Sequence, residues 1–165
     1  FFQAEDGIRV SSTSRVLGDV YKRQIFVCTF LIMEGMAWFS HKYIMHGFLW
    51  NLHKDHHVKN KKSWFERNDL FFVFYAFVSA FFVILWGEFS FFPGLAIAIG
   101  IFAYGVTYFI VHDIFIHQRF KIWKRVNNRY AKAVRRAHKI HHKHLTKEDG
   151  ECFGMLFVPK KFFKQ

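Results

Sequence analysis

Two long runs without a charged residue, Leu70 to Gly87 and Phe89 to Val111, constrain this chain more than any other feature. At 1.5 Å per residue the first run alone covers about 27 Å, close to the ~30 Å hydrocarbon core of a bilayer. Glu88 and Pro93 mark a short turn between them, so the expected form is a helical hairpin. Gly94, Gly100 and Gly105 on its second arm let neighbouring helices approach closely. A buried hairpin in a soluble protein is the alternative. It is disfavoured because 165 residues that are 52% hydrophobic and 21% aromatic are more apolar than a soluble core of this size needs.

Ahead of the hairpin, Ile25 to Ser40 is apolar except for Glu34. Sixteen helical residues reach only about 24 Å, so a first membrane helix is expected to continue to about Trp50. Residues 1–24 read differently: Phe1 to Arg9 and Arg15 to Gln24 resemble translated sequencing-adapter DNA. They are expected to be a non-native, disordered segment outside the fold. The net charge of +12 could suggest nucleic acid, but the charges are excluded from the apolar runs and crowd beside them, which suits a membrane surface. Lys54, Lys59, Lys61, Lys62 and Arg67 lie between the first helix and the hairpin, and more follow from Arg119 to Lys164. The hairpin turn has none, so the positive-inside rule makes the basic side cytoplasmic. Trp50, Trp64 and Trp123 on that side and Trp86 on the other suit interfacial belts.

Ten of the eleven histidines fall in four boxes on that same side. His41 and His46 form one HxxxxH box, and His112 and His117 another. His53, His56 and His57 form an HxxHH box that returns as His138, His141 and His142. On a helix the three histidines of an HxxHH box share a face and can hold one metal or bridge two. A spacing of five is less obvious, because it turns the second histidine about 140° from the first on an ideal helix. Either each member serves a different metal or the helix is irregular there.

Ten imidazoles suit two metals with about five ligands each. Imidazole sites accept zinc, copper, iron or nickel alike. Cys28 and Cys152 are too few for a disulfide framework or a thiolate-ligated cluster, and no Glu-x-x-His pair of the ferritin-like kind occurs. Glu34, two helical turns before His41, is a candidate support for a ligand or a polar helix contact. Asp113 is either an acceptor for a ligating imidazole or a surface acid. His144 reads as surface or outer support. Together these features describe an all-α integral membrane bundle with helices over about 25–50, 70–87 and 89–116, a cytoplasmic helical region over 117–165 and a cytoplasmic, histidine-rich di-metal cap.

The stretches His41 to Gly47, His53 to His57, Asn68 to Leu70, Val111 to Arg119, Ala137 to His142 and Phe153 to Phe157 resemble the bacterial β-carotene hydroxylases of the fatty acid hydroxylase superfamily. The likeness runs in order through nearly all of residues 25–165, although the family's first helix is expected to begin earlier than this apolar run does. It implies a non-haem di-iron monooxygenase that uses O2 to hydroxylate carbon 3 of carotenoid β-rings. The cofactors so implied are two iron ions, with zinc an alternative occupant on purification. The implied partners are a carotenoid drawn from the bilayer, membrane lipid and an external electron donor, a ferredoxin or reductase; nucleic acid is not among them. A related fatty-acyl or sterol hydroxylase shares the boxes. A non-catalytic metal-binding or transport protein is the reading from another class, but transporter sites lie near the bilayer midplane rather than at helix ends.

Overall fold

The computed structural model describes residues 2–58, 65–120, 122, 123, 125 and 128–163, with side chains from residue 17 onward. Helix α1 spans Phe2–Phe39 and continues as a π-helical segment, Ser40–Phe48. At Gly47 the backbone leaves the helical region (φ −105°, ψ −122°), and the chain turns into the short α2, Trp50–His57. The hairpin follows as α3, Asp69–Phe89, and α4, Gly94–Tyr108, which itself becomes π-helical over Phe109–Ile116. Helix α5 is Arg129–His141, and a 3-10 turn, Lys160–Phe163, comes near the end. Among the described residues there is no strand.

The hairpin arms are the two described helices long and apolar enough to cross a membrane, Asp69–Phe89 and Gly94–Ile116. Helix α3 buries only Ser79 and presents Phe74, Phe77 and Phe81 outward. An apolar surface of this extent has no place in water and suits lipid. The turn falls later than the charge pattern implied: α3 continues through Glu88 to Phe89, Ser90 caps it in the left-handed conformation (φ 53°), and α4 starts only after Pro93. Helix α4 lies centrally, packed on both α1 and α3. Its glycines make this possible. A β-carbon at Gly94 would stand 2.6 Å from the Phe82 carbonyl oxygen, and one at Gly100 would stand 2.8 Å from Cβ of Thr29. Such overlap typically costs about 1–3 kcal/mol. Gly105, by contrast, would place its β-carbon at an ordinary 3.4 Å from the Phe72 ring, so close approach is required at two of the three expected positions. Met33, Ile101, Tyr104 and Met155 form the core between α1, α4 and the C-terminal region.

Three sequence expectations differ from this architecture. The first helix does not run on as regular α-helix to Trp50, because it turns π-helical at Ser40 and ends at Gly47. Residues 2–24 have a helical backbone continuous with α1 rather than a disordered one, although residues 17 and 19–24 are all exposed. The described residues of the region 117–165, expected to be helical, are helical only in α5 and the final turn; much of the rest is an irregular strap over the histidines. Lys59, Lys61, Lys62 and Trp64 lie outside the described residues. Trp86 and Trp123 are exposed as belt residues would be, but Trp50 turns inward, its ring 5.1 Å from that of His46 and 5.3 Å from that of His57.

Candidate metal centre

The first HxxxxH box lies in a π-helical segment and the second runs from His112 inside the other to its C-cap, His117, and this resolves their spacing. A π-turn closes an i→i+5 hydrogen bond, which stacks residues five apart on one face. The His117 N–H donates to the His112 carbonyl at 2.9 Å, joining the two histidines of one box through the backbone. His41 and His46 accordingly converge on one group of imidazoles, and His112 and His117 on another. The helix is irregular where the chemistry needs it, and each box serves a single group.

The first group joins His41, His46, His53, His57 and His141; the second joins His56, His112, His117 and His138. Within each group one nitrogen per ring lies within 4.8 Å of all the others. Helices α2 and α5 divide their histidines between the two. His53 and His57 go to the first group and His56 to the second; His138 goes to the second and His141 to the first. His142 falls in neither set. Its ring stands 4.5 Å from that of His138, 4.7 Å from His56 and 4.8 Å from His117, and stacks on His57 at 4.5 Å.

The outward nitrogens determine what the inward ones can do. In the first group every Nδ1–H has an acceptor: the carbonyl of Phe153 for His41 (2.9 Å), Lys147 for His46 (3.2 Å), His144 for His57 (2.9 Å) and Glu151 for His141 (2.8 Å). His53 donates to the side-chain oxygen of Asn68 at 2.7 Å. With Nδ1 protonated, neutral imidazole keeps a bare lone pair on Nε2. These inward nitrogens approach one another at 3.1 Å (His41 with His53, and His57 with His53) and 3.2 Å (His46 with His141). Lone pairs gathered at this distance with no proton between them repel unless a cation is shared. The donor set therefore fits a metal ion.

Burial is the main reason these rings stay neutral, and the crowding of neighbouring imidazoles adds to it. The pKa values of His53 and His141 are lowered to about 2 and that of His57 to about 4. His56 and His138 are held well below the ordinary histidine value for the same reasons. Metal ligands must be deprotonated, so these rings are ready to ligate at neutral pH.

The second group is supported differently, by carboxylates. His56 Nδ1 donates to Glu66 at 2.7 Å and His112 Nδ1 approaches Asp113 at 3.3 Å. Arg119 ties the acids together, reaching Asp113 at 2.9 Å, Asp69 at 2.8 Å and Glu66 at 3.2 Å. Asp113 thus supports a histidine of the box, but its neighbour His112 rather than His117. Glu34 makes its hydrogen bonds elsewhere than to the histidine rings: it accepts from the Tyr104 hydroxyl at 2.7 Å and from the amides of Met155, Leu156 and Phe157. The half-buried His144 contributes its backbone carbonyl. Sequence reasoning missed Glu66, Asn68, Arg119 and Tyr104 as supports, although Asn68 and Arg119 stand inside the stretches that carried the family likeness.

An all-helical fold with apolar membrane-length helices and two imidazole groups at their ends defines a membrane-associated, histidine-rich metalloprotein. The chain belongs to the fatty acid hydroxylase family, whose model matches residues 26–160. It is 38% identical over 136 residues to a beta-carotene hydroxylase of Pseudescherichia vulneris, covering 82% of this chain and 76% of that one. It is 38% identical over 140 residues to a beta-carotene hydroxylase of Pantoea ananas, covering 85% and 79%. A beta-carotene 3-hydroxylase 2, chloroplastic, of Arabidopsis thaliana is 35% identical over 133 residues, 78% of this chain and 43% of that one. No solved structure matches the chain.

Removing an Nδ1 acceptor frees a ligand's tautomer and orientation, which typically costs 10–100-fold in metal affinity. Asn68→Leu should weaken metal binding by the first group by about that factor in a chelator-competition titration. Unchanged affinity would show that the Asn68 bond to His53 does not tune the ligand.

Proposed function

We propose that this chain is a membrane-bound di-iron monooxygenase that hydroxylates carbon 3 of carotenoid β-rings, taking β-carotene through β-cryptoxanthin to zeaxanthin. The observation that carries the reading is the pair of converging imidazole groups at the ends of membrane-length helices, in a chain whose relatives are named for this reaction. One ring C–H, one O2, two electrons and two protons give one C–OH and one water. Carbon 3 has no neighbouring group to acidify its hydrogens, so positioned acids and bases alone cannot begin the reaction. Iron, when bound, supplies the redox chemistry with O2.

The protein's part is to hold and shape. The first group supplies His41, His46, His53, His57 and His141 as ligands, and the second supplies His56, His112, His117 and His138. We assign His142 as the fifth ligand of the second. The two halves of the chain repeat one pattern: each HxxxxH box joins the first histidine of its own HxxHH box, and the middle histidine crosses to the other group. In that pattern His142 is the counterpart of His57. Trp50 and Phe153 pack on the rings of the first group and shield it from water. Zinc would fill the same nitrogens without supporting redox chemistry.

The carotenoid comes sideways from the bilayer between the aromatic-rich helices, and a ferredoxin or reductase delivers electrons to the basic face, where an acidic donor would be steered. The hydroxylase domain is residues 25–165, with residues 1–24 outside it. The charge asymmetry supports a multi-pass arrangement in the cell membrane with the histidine cap in the cytoplasm. Cysteines placed at Glu88 and Leu145 should accordingly label from opposite sides of the membrane; labelling from one side would reject the topology.

Produced in a bacterium that makes β-carotene, the protein should yield zeaxanthin in air and none without oxygen. His57→Ala or His141→Ala should abolish product while the protein stays in the membrane, and His144→Ala, which keeps the backbone carbonyl, should be milder. Hydroxylated acyl chains or sterols in place of carotenoids would move the substrate assignment. Stoichiometric zinc with no oxygen-dependent product would favour a non-catalytic metal protein.

A further inference from the structure

We infer that Glu34 is a positioning residue for the first histidine group, acting through the backbone of residues 144–157. The inference rests on reading that group as a metal site. Four of its five rings are oriented by carbonyls of one irregular strap: those of His144, Lys147, Glu151 and Phe153. Carbonyls in a segment without a helical or sheet ladder orient a ligand only if the segment itself is held. At one end the strap is continuous with α5. Near its other end three consecutive amides, of Met155, Leu156 and Phe157, converge on one carboxylate oxygen of Glu34 at 2.9, 2.7 and 3.1 Å.

This is an anion in a cradle of backbone N–H groups. Hydrogen bonds to a charged acceptor are roughly twice as strong as neutral ones. Tyr104 fixes the other carboxylate oxygen, so the cradle is anchored to α4 as well as α1. A glycine at the near edge permits the approach: a β-carbon at Gly154 would lie 3.2 Å from the same Glu34 oxygen. The first ring-orienting carbonyl inward from the cradle is that of Phe153, which accepts from His41, two turns beyond Glu34 on the same continuous helix. Glu34 thus closes a loop between the helix that carries the ligand and the strap that orients it. In the second group His56 and His112 are supported by the side chains of Glu66 and Asp113, which do not depend on the strap.

The test is chelator-driven release from the purified protein loaded with cobalt(II), with the metal counted per chain. The wild type should hold two ions. Asn68→Leu identifies the release phase of the first group and Asp113→Asn that of the second. Glu34→Gln keeps an oxygen acceptor without its charge, and should speed the first phase about tenfold and leave the second unchanged, as loss of an outer partner does. Glu34→Leu should hold one ion only. Because the leucine variant risks general misfolding, the glutamine variant decides. Unchanged phases, or equal acceleration of both, in Glu34→Gln overturn the role of Glu34 while leaving the two-site reading intact. A wild type that holds fewer than two ions overturns both.

Discussion

Everything in this molecule follows from the need to bury a crowd of imidazoles in one defined protonation state. Each ring of the first group gives its Nδ1 proton to an outside acceptor, and that single hydrogen bond turns the Nε2 lone pair inward. A ring free to change tautomer would pair with its neighbour instead, and the group would close on itself without a cation. Second partners of this kind are as much a part of a metal site as the ligands. The fold can be read as the apparatus that supplies them: π-helical segments to bring the rings together, an irregular strap to offer carbonyls, and a polar network at the start of α3.

The two groups are built on one plan but backed by different chemistry. Neutral acceptors surround the first, whereas the second leans on Glu66 and Asp113, with Arg119 holding both acids. A carboxylate acceptor makes the imidazole it binds a stronger electron donor than a carbonyl does. The two groups are therefore inequivalent in what they offer a metal, although both are built of histidines. The crossing of the middle histidine in each HxxHH box ties them together, since α2 and α5 each serve both and neither site can move alone.

Much of this was legible in the sequence, and the rest was hidden for physical reasons. The charge-free run at 70–87 located α3, observed as Asp69–Phe89, because nothing but bilayer length and hydrophobicity sets a membrane helix. Histidines at positions 41 to 57 and 112 to 142 pointed to a metal centre, and the structure gathers nine of them into two imidazole groups. What spacing alone left open was whether the HxxxxH pairs split or converge. A π-helix carries no propensity signature of its own and is imposed by what its residues must reach. The strap was equally invisible, because its contribution is made by backbone carbonyls that any residue carries. Glu34 was marked by its isolation in an apolar helix, but its backbone amide partners lie more than 120 residues away in sequence.

The central claim is that nitrogens from four boxes form two separate metal sites. Anomalous diffraction at the iron edge from crystals of the iron-loaded protein tests it directly. Two peaks are expected, one among the Nε2 atoms of His41, His46, His53, His57 and His141 and the other among the rings of His56, His112, His117 and His138. A single peak, or iron bound away from these rings, would contradict the account.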